Sequence, residues 1–104
     1  MATHYPSLKT IAGLQVPYAR HPRVRAIKRQ GHYPSIHGTK LWSSSGVLID
    51  YIASTTATAP QSVIDAGCGW GLAGIWCAKT FGSAVASVDA DASVMPHLEL
   101  VAEL

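Results

Sequence analysis

The residues of this chain best suited to chemistry lie in one run, Val63-Ile-Asp-Ala-Gly-Cys-Gly-Trp-Gly-Leu-Ala-Gly74, and in one acid beyond it, Asp89. Gly67, Gly69 and Gly71 lack the side chains that would hold a ligand off the backbone, and a helix starting after them favours a negatively charged group at its N-terminus. Asp89 follows Gly69 by 20 residues, about the separation that one strand–helix–strand crossover requires. An acid closing the second strand of a doubly wound fold accepts hydrogen bonds from a ribose diol. Asp65 stands just before the glycines, where a carboxylate is poorly placed beside a pyrophosphate but suits a ligand carrying an ammonium group. Burial of an unpartnered carboxylate is costly, so a ligand or a backbone amide is expected to face it. Gly69-Trp-Gly71-Leu-Ala-Gly74 also matches the dinucleotide fingerprint GxGxxG, and a nicotinamide dinucleotide therefore stands as the alternative ligand.

The remaining reactive side chains read more plainly. Cys68 sits near a helix start but has no base to pair with, and Cys77 reads as a small inert core residue. His4, His21, His32, His37 and His97 lack an HxxxH or Cys pairing at metal-ligand spacing and read as exposed or loop side chains. Trp70, inside the glycine loop, suits either a lid or a packing plug, and Trp76 suits a helix core.

These residues need elements to hold them. Ser62–Ala66 is a short β-branched run that suits a buried strand, Leu72–Phe81 a helix stopped by Gly82, and Ala84–Val88 a second strand. A third helix starts near Ser93 and runs through His97, Leu98, Val101 and Leu104. Upstream, Trp42, Val47, Leu48, Tyr51 and Ile52 can share one helical face behind a serine cap, and Ala53–Gln61 reads as a linker. Residues 1–40, with Pro6, Pro17, Pro22 and Pro34, read as an irregular arm with room for one short helix over Val24–Gln30. Strands alternating with helices predict an α/β fold, a Rossmann-like parallel sheet with flanking helices. The chain supplies only the first two βα units of it.

Asp65-Ala-Gly-Cys-Gly-Trp-Gly71 resembles the first motif of the class I, seven-strand S-adenosylmethionine-dependent methyltransferases, and Val88-Asp89-Ala-Asp-Ala resembles their second. Lys40-Leu-Trp42-Ser-Ser-Ser-Gly-Val-Leu and Gly71-Leu-Ala-Gly-Ile-Trp-Cys-Ala are similar to the small protein-lysine methyltransferase branch. The resemblance implies S-adenosyl-L-methionine as cofactor and a protein side-chain amine as methyl acceptor. It implies that Gly67, Cys68, Gly69 and Gly71 line the methionine and ribose portion, that Asp65 holds the amino end, and that Asp89 takes the ribose hydroxyls. Trp42 would pack beside the pocket. Residues 41–104 would then be the N-terminal, cofactor-holding part of a methyltransferase domain, with the acceptor-side residues not among them. A nicotinamide-dinucleotide-binding oxidoreductase fragment, or a non-catalytic cofactor-binding module that completes its sheet by self-association, is the other reading of the same pattern.

Composition bounds these readings. The chain has 104 residues, 48% of them hydrophobic and 13% charged, which fits one small folded unit and excludes a disordered chain. No apolar run approaches the roughly 18–20 residues of a membrane span, and no secretory leader is visible behind the initial Met. Two cysteines make no disulfide framework, so a reducing cytoplasm is the simplest setting. Charge is split along the chain. Lys9, Arg20, Arg23, Arg25, Lys28, Arg29 and Lys40 face only Asp50 in the first half, whereas Lys79 faces Asp65, Asp89, Asp91, Glu99 and Glu103 in the second. The basic cluster Arg20–Arg29 reads as a solvated arm rather than a nucleic-acid site, and no aromatic interleaving suggests base stacking there.

Overall fold

A computed structural model describes residues 8–32 and 43–104. Among these residues the fold is mixed α/β, with two separate two-stranded sheets. Strands β1 (Leu8–Ile11) and β2 (Leu14–Pro17) pair antiparallel, with Ile11 opposite Leu14. The two residues between them, Ala12 and Gly13, both have positive φ, as the tight hairpin turn matching strand twist requires. Helix α1 (Pro22–Arg29) follows, with Pro22 in its first turn and the His21 imidazole accepting from the Arg23 amide at 3.1 Å. The expectation of an irregular arm is thus corrected over residues 8–29. Alternating residues Leu14 and Val16 carry the hairpin into the core, and this side-chain burial outweighs the weak turn signal of Ala-Gly. The helix expected over Val24–Gln30 forms, starting two residues earlier.

Helix α2 (Ser43–Thr55) precedes β3 (Ser62–Ala66), α3 (Leu72–Phe81), β4 (Ala84–Val88), a single 3-10 turn (Ala92–Val94) and α4 (Met95–Glu103). β3 and β4 pair in parallel, Ser62 beside Ala84 through Ala66 beside Val88. The strand and helix limits read from the sequence between 62 and 88 agree with the structure. Gly82 ends α3 in the left-handed conformation, its amide bonded to the Ala78 carbonyl. The helical face expected upstream does not: Val47, Leu48 and Tyr51 are exposed, and among the described side chains of α2 it is Ile49 that is fully buried. Periodicity alone could not say which side of α2 meets α3.

The core is shared between the N-terminal unit and the α/β part. Leu14, Val16 and Val24 pack with Trp70, Leu72, Ile75, Leu100 and Val101. Val63, Asp65, Val85 and Ser87 lie half-buried on one face of the parallel pair, while Ile64 and Val88 on the other face are 75% and 54% exposed. Among the described residues no helix is long and apolar enough to cross a membrane.

Candidate functional site

The turn from β3 into α3 is built by backbone conformations that favour glycine. Gly67, Gly69 and Gly71 have φ of +65°, +55° and +79°. The loop is closed by the Gly71 amide donating to the Cys68 carbonyl at 2.8 Å, and it is tied to the neighbouring strand by the Cys68 amide donating to the Val88 carbonyl at 3.0 Å. The three glycines are not equivalent. A Cβ at Gly67 or Gly69 would meet nothing within 4 Å, so the loop opens outward there. A Cβ at Gly71 would lie 2.6 Å from Leu98 Cδ1, so Gly71 is buried under α4. Gly74 is a packing glycine too: its Cβ would stand 2.9 Å from Val85 and 3.0 Å from Asp65 Oδ2.

Two carboxylates flank this loop. Asp65 Oδ2 accepts from the Gly74 amide at 3.1 Å, in the first turn of α3. An amide therefore faces Asp65, as its burial cost demanded. Beside it lies an apolar cavity of about 100 Å3 bounded by Leu48, Ile52, Val63 and Cys77. Burial pushes the Asp65 pKa up, the Gly74 amide opposes this, and the charge on Asp89 adds to the rise. Asp89 is held the other way: Oδ1 accepts from the Asp91 amide and Oδ2 from the Gly69 amide, each at 2.9 Å, and these bonds keep its pKa below the ordinary value. A carboxylate offers about four acceptor positions, so two amides leave room for a diol. Asp91 caps the turn that follows, accepting from the Ser93 amide at 3.0 Å.

Cys68 is protonated at neutral pH. Burial, with Asp65 and Asp89 nearby, pushes its thiol up to about 11. The structure thus gathers Asp65, Gly67, Cys68, Gly69 and Asp89 at one end of the parallel pair and buries Gly71 beneath them. Trp42 and His37 lie outside the described residues. No group of three or more His, Cys, Asp or Glu is arranged for a metal among the described residues.

Of the two readings offered for Trp70, lid or packing plug, the structure takes the second, and the partner that anchors it was missed. Trp70 is 4% exposed and acts as a plug, its ring stacked at 5.0 Å and 2° on His97 of α4. His97 is fully buried, which corrects its reading as an exposed histidine. Its Nε2 lies 3.3 Å from the His32 carbonyl, tying α4 to the end of the N-terminal unit. A large aromatic in the middle of a glycine turn was the available signal. Its partner was not readable, because His97 is 27 residues away on another helix.

No family model matches the chain, and no curated protein or solved structure matches it either.

Proposed function

We propose that this chain holds S-adenosyl-L-methionine on the β3–α3 loop and serves as the cofactor-binding part of a methyltransferase with a Rossmann-like sheet, acting on a protein side-chain amine. One observation carries the reading: a glycine turn open at Gly67 and Gly69 has carboxylates at both sides, while Gly71 and Gly74 are consumed by packing. In a dinucleotide fingerprint the second glycine must admit the pyrophosphate to the backbone. That position is Gly71, and Leu98 covers it. Asp65, Asp89 and Asp91 add negative charge at the loop, and Lys79 is the only Lys or Arg between residues 43 and 104. This field disfavours a pyrophosphate and favours a cofactor with an ammonium and a sulfonium.

Asp65 is suited to the ammonium, since a cation beside it would relieve the cost of its buried charge. Asp89 is suited to the ribose hydroxyls, and the bare backbone of Gly67 and Gly69 to close contact with the methionine portion. S-adenosylmethionine supplies a methyl group activated on sulfur; a neutral amine that takes it leaves S-adenosylhomocysteine and releases a proton. The residues here bind and orient.

Isothermal titration checks this. S-adenosylhomocysteine binds, NAD does not, and Asp89→Ala weakens the binding by about 1.5–3 kcal/mol, the loss of a charged hydrogen bond. NAD binding in place of S-adenosylhomocysteine would overturn the reading.

A further inference from the structure

The cations of the N-terminal unit have no part in the cofactor reading. Residues 8–32 hold Lys9, Arg20, Arg23, Arg25, Lys28 and Arg29 and no carboxylate. On an irregular tail such charges would be a solvated arm. The hairpin and α1 instead fold onto α4 through Leu14, Val16 and Val24, so the backbone that carries the cations is held in place. Arg23 is bonded to Glu103 of α4. Arg25 and Arg29 stand one turn apart, both exposed, on the flank of α1 away from Arg23. The Tyr18 ring carries the Lys9 ammonium 5.0 Å and the Arg20 guanidinium 4.6 Å from its centre. Tyr18, which stands between Lys9 and Arg20 in the sequence, therefore lies among these cations in space as well.

Like charges on one folded unit repel one another, and a polyanion with spaced charges relieves this. Four of the six are arginines, whose planar forks match phosphate oxygens. Cations around an aromatic ring suit a strand that offers phosphates and stacking bases together. An acidic peptide offers no bases. We propose that the folded N-terminal unit is a nucleic-acid-binding face, with Lys9, Arg20, Arg25 and Arg29 on phosphates and Tyr18 beside a base. The proposal stands independently of the cofactor's identity.

Fluorescence anisotropy of the whole chain with a labelled oligouridylate of about 20 nucleotides tests it, with salt varied. Binding is expected to saturate, with log affinity falling linearly against log salt. Arg25→Gln with Arg29→Gln should lower the slope by about 1.4, at roughly 0.7 per phosphate contact on a single strand, and the affinity about tenfold or more at moderate salt. Arg25→Lys with Arg29→Lys should keep the slope, since charge is kept. Lys79→Gln, on exposed α3 surface, should change nothing. Circular dichroism of each variant checks that the fold is unchanged. No binding at low salt, an equal loss with Lys79→Gln, or displacement of the RNA by polyglutamate at equal charge would each overturn the proposal. So would vesicles of phosphatidylserine competing as well as unlabelled RNA.

Discussion

At the residue scale, Asp65 and Asp89 are one kind of side chain tuned in opposite directions by their surroundings. Asp65 has a raised pKa because burial outweighs its single amide bond; Asp89 has a lowered one because two amides outweigh its burial. Their contributions to stability therefore have opposite signs with pH. Folded Asp65 takes a proton more readily than unfolded Asp65, so its ionised form costs stability above its raised pKa, and acidification toward 3.8 removes that cost. Asp89 stabilises above 3.8 and loses this as pH falls through its depressed value. Asp65→Asn keeps an oxygen for the Gly74 amide and removes the buried charge. Urea unfolding at neutral pH should show it at least as stable as the parent, with the difference shrinking on acidification. Its affinity for S-adenosylhomocysteine should fall about tenfold, the weight of a charged hydrogen bond. A loss of stability at neutral pH would instead make Asp65 a capping residue only. That Asp65 needs a partner was legible in the sequence. That Gly74 is this partner was not, because it depends on how closely α3 approaches β3.

At the element scale, the β3–α3 turn separates two uses of glycine that look identical in the sequence. Gly67 and Gly71 both have positive φ, which costs an alanine about 1–2 kcal/mol. Gly67→Ala should cost about that and no more, because open space receives the methyl group. Gly71→Ala must also push Leu98 aside and should cost about 1–3 kcal/mol further. Urea midpoints of the two variants check the order, and equal losses would remove the Leu98 contact from the account. Limits of β3, α3 and β4 were legible because glycine or proline punctuates the chain around them, Asp89 closes β4, and each shows its own residue type. The hairpin β1–β2 was not. Its strands are four residues each, its turn is Ala12-Gly13 rather than Asn-Gly, and its pairing is stabilised by packing on α4.

At the scale of the molecule, Trp70 and His97 connect the glycine loop to the N-terminal unit. A carbonyl can only accept, so His97 Nε2 carries the hydrogen toward His32, and Nδ1 is left as a buried lone pair. Neither Nδ1 nor Trp70 Nε1 finds a partner among the described residues. Burial holds the imidazole below its ordinary 6.5, the His32 carbonyl opposes this, and Lys28 and His32 add positive charge that lowers it further. Unfolded His97 therefore binds a proton first. Its contribution to stability is full above 6.5 and is lost as pH falls through the lowered folded value. Thermal unfolding from pH about 7.5 to 5 should show that decline, and His97→Phe, which keeps an aromatic ring on Trp70, should flatten it. An unchanged slope would mean that other groups carry the acid sensitivity. Trp70→Ala should cost about 3–5 kcal/mol and weaken cofactor binding through the loop it anchors.

The sequence by itself determined the local matters: which residues could face a ligand, where the parallel strands and α3 begin and end, and how charge divides along the chain. Each follows from neighbours within a few positions, through backbone freedom, side-chain branching and capping. Tertiary structure alone decided which glycines open outward and which are buried, that the basic segment is folded over residues 8–29, and that His97 lies in the core. Those outcomes depend on contacts between residues tens of positions apart, formed when Leu98 covers Gly71 and when the N-terminal unit packs on α4. Periodicity can place a residue on a face, but only packing decides what that face meets.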